Sequence, residues 1–132
     1  MSDNNNIESI LKMERLVFDK IEFNRIGFKN NNEIEFQFQA GVSQRNDGNI
    51  YKVNLIVKGN KKDEYVFEIS LTGFFTFESS DNLNDEFKNN LLSKNAIAIL
   101  MPYLRSQITL LTSQPEVDTV VLPIFNINNM VN

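Results

Sequence analysis

The segment NAIAILMPYLRSQITLLTSQP, residues 95–115, decides the fold, together with VVLPIFN at 120–126 that follows it. Ile97, Leu100, Met101, Leu104, Ile108 and Leu111 recur at three- and four-residue spacing, the stripe of a helix with one buried face. Ala98, Ile99, Tyr103 and Leu110 carry apolar character over much of the remaining circumference. Such a helix belongs in the interior of a large protein, in a membrane, or between two layers. A chain of 132 residues fits one domain and is too small to surround the helix by itself. Its longest apolar run, 96–104, is about half of the ~20 residues a membrane span needs. The pattern therefore predicts a helix covered by the chain's own sheet on one side and by a second subunit on the other. Pro102 predicts a kink or restart inside it, with residues 96–101 open to a non-helical reading, because proline removes a helical hydrogen bond.

Upstream of this helix the period is two. Residues 15–26 read as a first strand, with Leu16 and Phe18 on one phase and Ile21 and Phe23 on the other. The phase change at Asp19 and Lys20 predicts a bulge or a bend, since alternation cannot slip by one residue without turning side chains to the opposite face. Residues 27–32 form an asparagine-rich loop carrying a lone Phe28. A second strand follows, with Ile34, Phe36, Phe38 and Ala40 on one side and Glu33, Glu35, Gln37 and Gln39 on the other. Residues 50–58 and 64–77 give the third and fourth strands, joined by a tight connection at 59–63. Short connections join antiparallel neighbours, so the first 78 residues predict an antiparallel sheet. Residues 1–6 are polar and predict a frayed end, and 7–13 fit either a helical turn or an extended lead-in. After residue 81 the period becomes 3.6. Asp81 or Asn82 fits the cap of a short helix ending near Leu92, with Asp85 and Glu86 in its first turn, and Ser93 or Asn95 fits the start of the main helix.

Composition narrows the chemistry. The chain contains no His and no Cys, which removes imidazole bases, thiol nucleophiles, disulfides and His or Cys metal sites together. The carboxylate pairs Glu33 with Glu35 and Glu64 with Glu68 have the spacing of a wet strand face rather than of acid and base partners. Ser79, Ser80 and Ser113 lack a base by spacing, and none of the scattered glycines forms a phosphate cradle. No enzyme, no cofactor and no metal are expected. A net charge of −4 and a pI near 4.8 argue against a nucleic-acid partner. The N-terminus has neither a basic nor an apolar leader region, so a cytoplasmic protein without membrane insertion is expected. Eleven Phe and no Trp leave more aromatic surface than one core absorbs: Phe28 stands in a polar loop, and Phe74, Phe75 and Phe77 cannot share one face of a strand. Gly73 among them predicts a bulge or a close backbone approach.

MPYLRSQIT at 101–109, VLPI at 121–124 and FEISLTGFF at 67–75 resemble segments of the bacterial export chaperone SecB, and the resemblance runs from about residue 15 to 125. It implies a single domain over 1–132, α+β in class: a sheet at 15–78, helices at 82–114 packed on one face, and an extended segment at 115–132, with 1–14 partly disordered. It implies oligomerisation through the helices, as a homotetramer built from two dimers, with Phe67, Ile69, Leu71, Leu104, Ile108 and Leu111 at the interface. It further implies an ATP-independent chaperone that holds unfolded preproteins for the Sec translocase. By position, Phe28, Phe36, Phe38, Met101, Tyr103 and Phe125 are the candidates for the client groove. Glu68 matches an acidic residue through which the family docks SecA, whereas Lys20 and Asn24 stand where further acids are expected. The loop at 27–32 is shorter than the family's crossover and lacks its Trp, and the family's acidic tail has no counterpart. A SecB-like chaperone dedicated to one client, such as an antitoxin, is the close alternative. A structural oligomer that binds no client is the more distant one.

Overall fold

The computed structural model describes residues 11–44, 50–77 and 84–122. Four strands, β1 (Leu11–Arg25), β2 (Ile34–Gln44), β3 (Tyr51–Lys61) and β4 (Tyr65–Phe77), form one antiparallel sheet in the order β1-β4-β3-β2. The first connection is thus no hairpin: β1 and β2 lie at opposite edges, and residues 26–33 cross the end of the sheet between them. Three strand spacings amount to about 14 Å, well within the roughly 26 Å that eight extended residues can reach.

The bulge expected at Asp19 is present, and a second sits at Glu14: the β1–β4 register shifts between Phe18 and Lys20 and between Met13 and Arg15. The slip explains the phase change in sequence. It sets Leu16, Phe18, Ile21 and Phe23 opposite Gly73, Leu71, Ile69 and Phe67, all on one face. Both bulged acids are held from β4, Thr72 Oγ1 donating to Asp19 Oδ2 at 2.5 Å and Thr76 Oγ1 to Glu14 Oε2 at 2.8 Å.

A short helix α1 (Asp85–Leu91) follows the sheet, capped by Asn84, whose Oδ1 accepts from the Phe87 amide at 2.7 Å. The cap is therefore Asn84 rather than Asp81 or Asn82, which lie outside the described residues. No break separates α1 from the main helix α2 (Ile97–Thr112), because a π-helical turn at Leu92–Ala96 carries the chain through. Neither Ser93 nor Asn95 starts a helix, and Pro102 lies inside a continuous one. The proline is tolerated because it and Ala98, the residue four positions earlier, are both exposed, so water can take up the carbonyl that the ring leaves free.

Ile97, Leu100, Met101, Leu104 and Ile108 of α2 are buried against Val53, Leu55, Val57, Ile69, Leu71 and Phe75 of the central strands. Gly73 sets the approach: a Cβ there would lie 2.7 Å from Leu100 Cδ2 and 2.6 Å from the Phe75 ring. Its register with β3 is unbroken, so this glycine serves a close approach and not a bulge. The surplus aromatics also find places within the chain. Phe75 is buried, Phe74 lies on the other face between Arg15, 4.7 Å from its centroid, and Lys52 at 5.8 Å, and Phe77 packs edge-on to Tyr51 at 5.4 Å.

Candidate functional site

A helix with its side chains is about 10 Å across and covers roughly two strands of a four-stranded sheet. α2 lies over β3 and β4, which leaves the helix-side faces of β1 and β2 partly open. On β2 the open strip consists of Ile34, Phe36 and Phe38, all half-buried, and Val42, which is exposed. The Phe36 and Phe38 rings lie 6.3 Å apart, and Phe36 meets Phe67 edge-on at 6.2 Å. On β1 the corresponding strip holds Leu16, Phe18 and Phe23, half-buried, with Ile21 exposed.

The crossover between these strips is fixed on the β3–β4 turn. The amides of Ile26 and Gly27 both donate to the Glu64 carbonyl, at 2.7 and 3.1 Å. The Asn30 amide donates to Glu64 Oε1 at 2.9 Å, and the side-chain amides of Asn30 and Asn32 donate to the Lys62 carbonyl at 2.9 Å. Glu64 Oε1 also lies 2.9 Å from Lys61 Nζ, and both residues are buried. So anchored, the crossover holds up Ile26, 61% exposed, and Phe28, 93% exposed. They border an open cleft of about 650 Å³ with Arg25, Gly27, Lys29 and Glu116. The asparagines that mark a loop in the sequence are the groups that fasten it.

Residues 113–122 run back along α2 and are held by its polar side chains. Arg105 Nε donates to the Leu122 carbonyl at 3.1 Å, Thr109 Oγ1 to the Val120 carbonyl at 2.9 Å, and the Val120 amide to Thr112 Oγ1 at 2.8 Å. Arg25 and Lys29 tie this segment to the crossover, through the Glu116 carbonyl at 2.6 Å and the Asp118 carboxylate at 2.9 Å. The hydrogen bond and charge of Asp118 raise the Lys29 pKa, and Lys29 in turn lowers that of Asp118. Pro102, Leu110 and Val121 line a second open cleft of about 450 Å³ on the outer side of α2.

Of the groove candidates, Phe28 and Tyr103 are exposed and Phe36 and Phe38 half-buried, but they occupy three places: the crossover, the outer side of α2 and the β2 strip. Met101 is 5% exposed and belongs to the core. Phe125 lies outside the described residues. Phe67, Ile69, Leu71, Leu104 and Ile108, expected at a subunit interface, are buried within the protomer. They pack sheet against helix, and Leu111 is half-buried at the margin. Glu68 is on the face away from the helix, 3.5 Å from Lys20 Nζ, so the lysine found where an acid was expected pairs with the docking candidate. The sequence reading did not single out Ile26 and Val121, 61% and 72% exposed, whereas Leu110, 68% exposed, lies outside the buried stripe of the helix as its position in the pattern implies. The signal at Ile26 was an apolar residue directly before Gly27 at the end of a strand. Among the described residues no cluster of acidic side chains could hold a metal ion, and no helix is long and apolar enough to cross a membrane.

No protein-family model and no curated protein matches the chain. Among solved structures, the Mycobacterium tuberculosis Rv1957 SecB-like chaperone, in complex with a ChAD peptide from the Rv1956 HigA1 antitoxin, superposes with a TM-score of 0.74. That match covers 92% of both chains at 11% sequence identity. A protein of unknown function from Streptococcus agalactiae matches 86% of this chain and 97% of its own, at 10% identity and a TM-score of 0.48. The first likeness spans all four strands and the helix packed on them, and on it the chain has a SecB-like fold.

Proposed function

We propose that this chain is an ATP-independent holding chaperone that binds extended, unfolded segments of other proteins. The observation that carries the reading is Phe28, held 93% exposed on a crossover that is itself firmly anchored. Leaving a phenylalanine in water on an ordered loop forgoes about 2 kcal/mol of burial, and a client side chain placed against it recovers that. The open strips on β1 and β2 add apolar area at roughly 25 cal/mol per Å² buried. A folded protein has already hidden the side chains that such surfaces take, so discrimination follows from the state of the client. The SecB-like fold supports the same reading.

Holding preproteins in the cytoplasm for SecA and the Sec translocase is one destination; guarding a single client, such as an antitoxin, is the other. Two observations favour the second. Glu68 is paired with Lys20, which weakens the acidic face that SecA docking would use, and the structural neighbour was solved with an antitoxin peptide. Homo-oligomerisation, as a dimer or a tetramer, would use the outer side of α2, where Tyr103, Leu110 and Val121 are exposed.

Size exclusion with light scattering tests the proposal, run on the protein alone and then with a slow-folding precursor freshly diluted from denaturant. Co-elution with the unfolded precursor and indifference to the folded one is expected. Phe28→Asp, at an exposed position, should preserve assembly and weaken capture several-fold. A protein that captures neither the precursor nor a co-expressed antitoxin is a scaffold, and the chaperone reading falls.

A further inference from the structure

The outer face of the sheet, away from the helix, is divided by charge. Near the β3–β4 turn it gathers Glu22, Glu35 and Glu68 around a shallow pocket, and cations stand among them. Lys20 Nζ is 3.5 Å from Glu68 Oε1, and Lys58 is opposite Glu68 in the β3–β4 ladder. Six residues further along β4, about 20 Å away, the charge is reversed. Phe74 stands in register with Arg15 on β1 and Lys52 on β3, and both cations lie over its ring, 4.7 and 5.8 Å from the centroid. Neither has a carboxylate partner among the described residues. The acids of β1 on either side of Arg15 are engaged elsewhere, Glu14 accepting from Thr76 Oγ1 at 2.8 Å and Asp19 from Thr72 Oγ1 at 2.5 Å.

We propose that Arg15, Phe74 and Lys52 form a docking site for an acidic segment of a second protein, separate from the surface that holds clients. The ring gathers the two cations before any partner arrives, which spares part of the side-chain ordering that makes ordinary surface ion pairs weak. A guanidinium covered by a ring on its flat side still offers its in-plane N–H groups to a carboxylate. An extended segment sets residues i and i+2 about 7 Å apart on one face, a spacing at which two carboxylates meet two cations gathered on one ring. The chain as a whole carries a net charge of −4, so attraction for an acid is local to this row, within a Debye length of about 8 Å at physiological salt. The place differs from that of Glu68, and the charge is opposite. The Phe18 and Phe36 strips are on the helix side of the sheet, so a client and this partner can be held at once on opposite faces.

The test is fluorescence anisotropy with a labelled peptide of alternating glutamate and serine, about ten residues long, in ~50 mM salt. Lys52→Glu and Lys58→Glu make the same change of net charge on the same strand, and both positions are exposed. Lys52→Glu and Arg15→Glu should each weaken binding about fivefold or more, while Lys58→Glu should alter it by less than about twofold. The peptide should stay bound when an unfolded precursor is captured. Equal weakening by Lys52→Glu and Lys58→Glu overturns the proposal, because the peptide then answers only to overall charge. Displacement of the peptide by the precursor also overturns it, since one surface then serves both. A single-stranded oligonucleotide of equal charge that binds more tightly than the peptide overturns it in favour of a phosphate site. No binding of the peptide removes the site and leaves the holding function standing. Binding that depends on Arg15 and Lys52 in a protein that captures no precursor supports the site while the holding function falls.

Discussion

Lys61 Nζ and Glu64 Oε1 lie 2.9 Å apart at the β3–β4 turn, with 7% and 0% of their side chains exposed. The same carboxylate oxygen accepts the Asn30 amide, so one buried ion pair joins the turn to the crossover that carries Phe28. Burial alone would raise the Glu64 pKa. The hydrogen bonds from Lys61 and the Asn30 amide, with the charges of Lys61 and Arg25, outweigh it and hold the carboxyl below its ordinary value.

Replacing Glu64 with Gln leaves the Lys61 ammonium buried without a counter-charge. Breaking one side of such a pair costs about 3 kcal/mol. Urea denaturation should show this loss, and amide exchange at Ile26, Gly27 and Asn30 should quicken beforehand as the crossover loosens from its anchor.

The depressed pKa of Glu64 gives a pH dependence of definite sign. A carboxyl whose folded pKa lies below its unfolded value contributes stability that is fully present above the unfolded value and lost as pH falls through the folded one. The protein should keep this contribution at neutral pH and lose it below about pH 4.5, near the unfolded glutamate pKa. Denaturation midpoints measured from pH 7 to pH 3 should fall less steeply in Glu64→Gln than in the unaltered chain.

Gly73→Val should loosen the helix from the sheet. The new Cβ would meet Leu100 Cδ2 at 2.7 Å and the Phe75 ring at 2.6 Å, and neither side chain has surface into which to move. Overpacking of this kind costs about 1–3 kcal/mol. Thermal unfolding followed by circular dichroism should show a lower midpoint, and Leu100→Ala in the same chain should recover part of it.

Thr112→Val removes a buried hydroxyl that donates to the Ile108 carbonyl at 2.8 Å and accepts from the Val120 amide at 2.8 Å. The helix loses little, but the Val120 amide is left without that acceptor, at a cost of about 1 kcal/mol. Proteolysis within residues 113–122 should become faster while the global unfolding midpoint moves only slightly.

Local pattern was enough for the elements. The alternation from Ile34 to Ala40, the stripe from Ile97 to Ile108 and the slip at Asp19 each follow from how a strand or helix distributes its own side chains, a matter of two or four residues. The resemblance of residues 67–75 and 101–109 extended that reading to the SecB-like fold. Strand order was beyond local pattern. The placing of β1 beside β4 rests on residues 26–33 folding over Lys62 and Glu64, partners about thirty positions away that no periodicity records. The same limit governed the candidate site. Phe28 stood out because an aromatic in a polar loop has no neighbours to hide it. Met101, Leu104 and Ile108 carry the same apolar character as a surface stripe would, and only the docking of α2 over β3 and β4 made them core. Sequence fixes which residues are apolar and with what period. Which of them stay in water is decided when one helix, too narrow for four strands, settles on two.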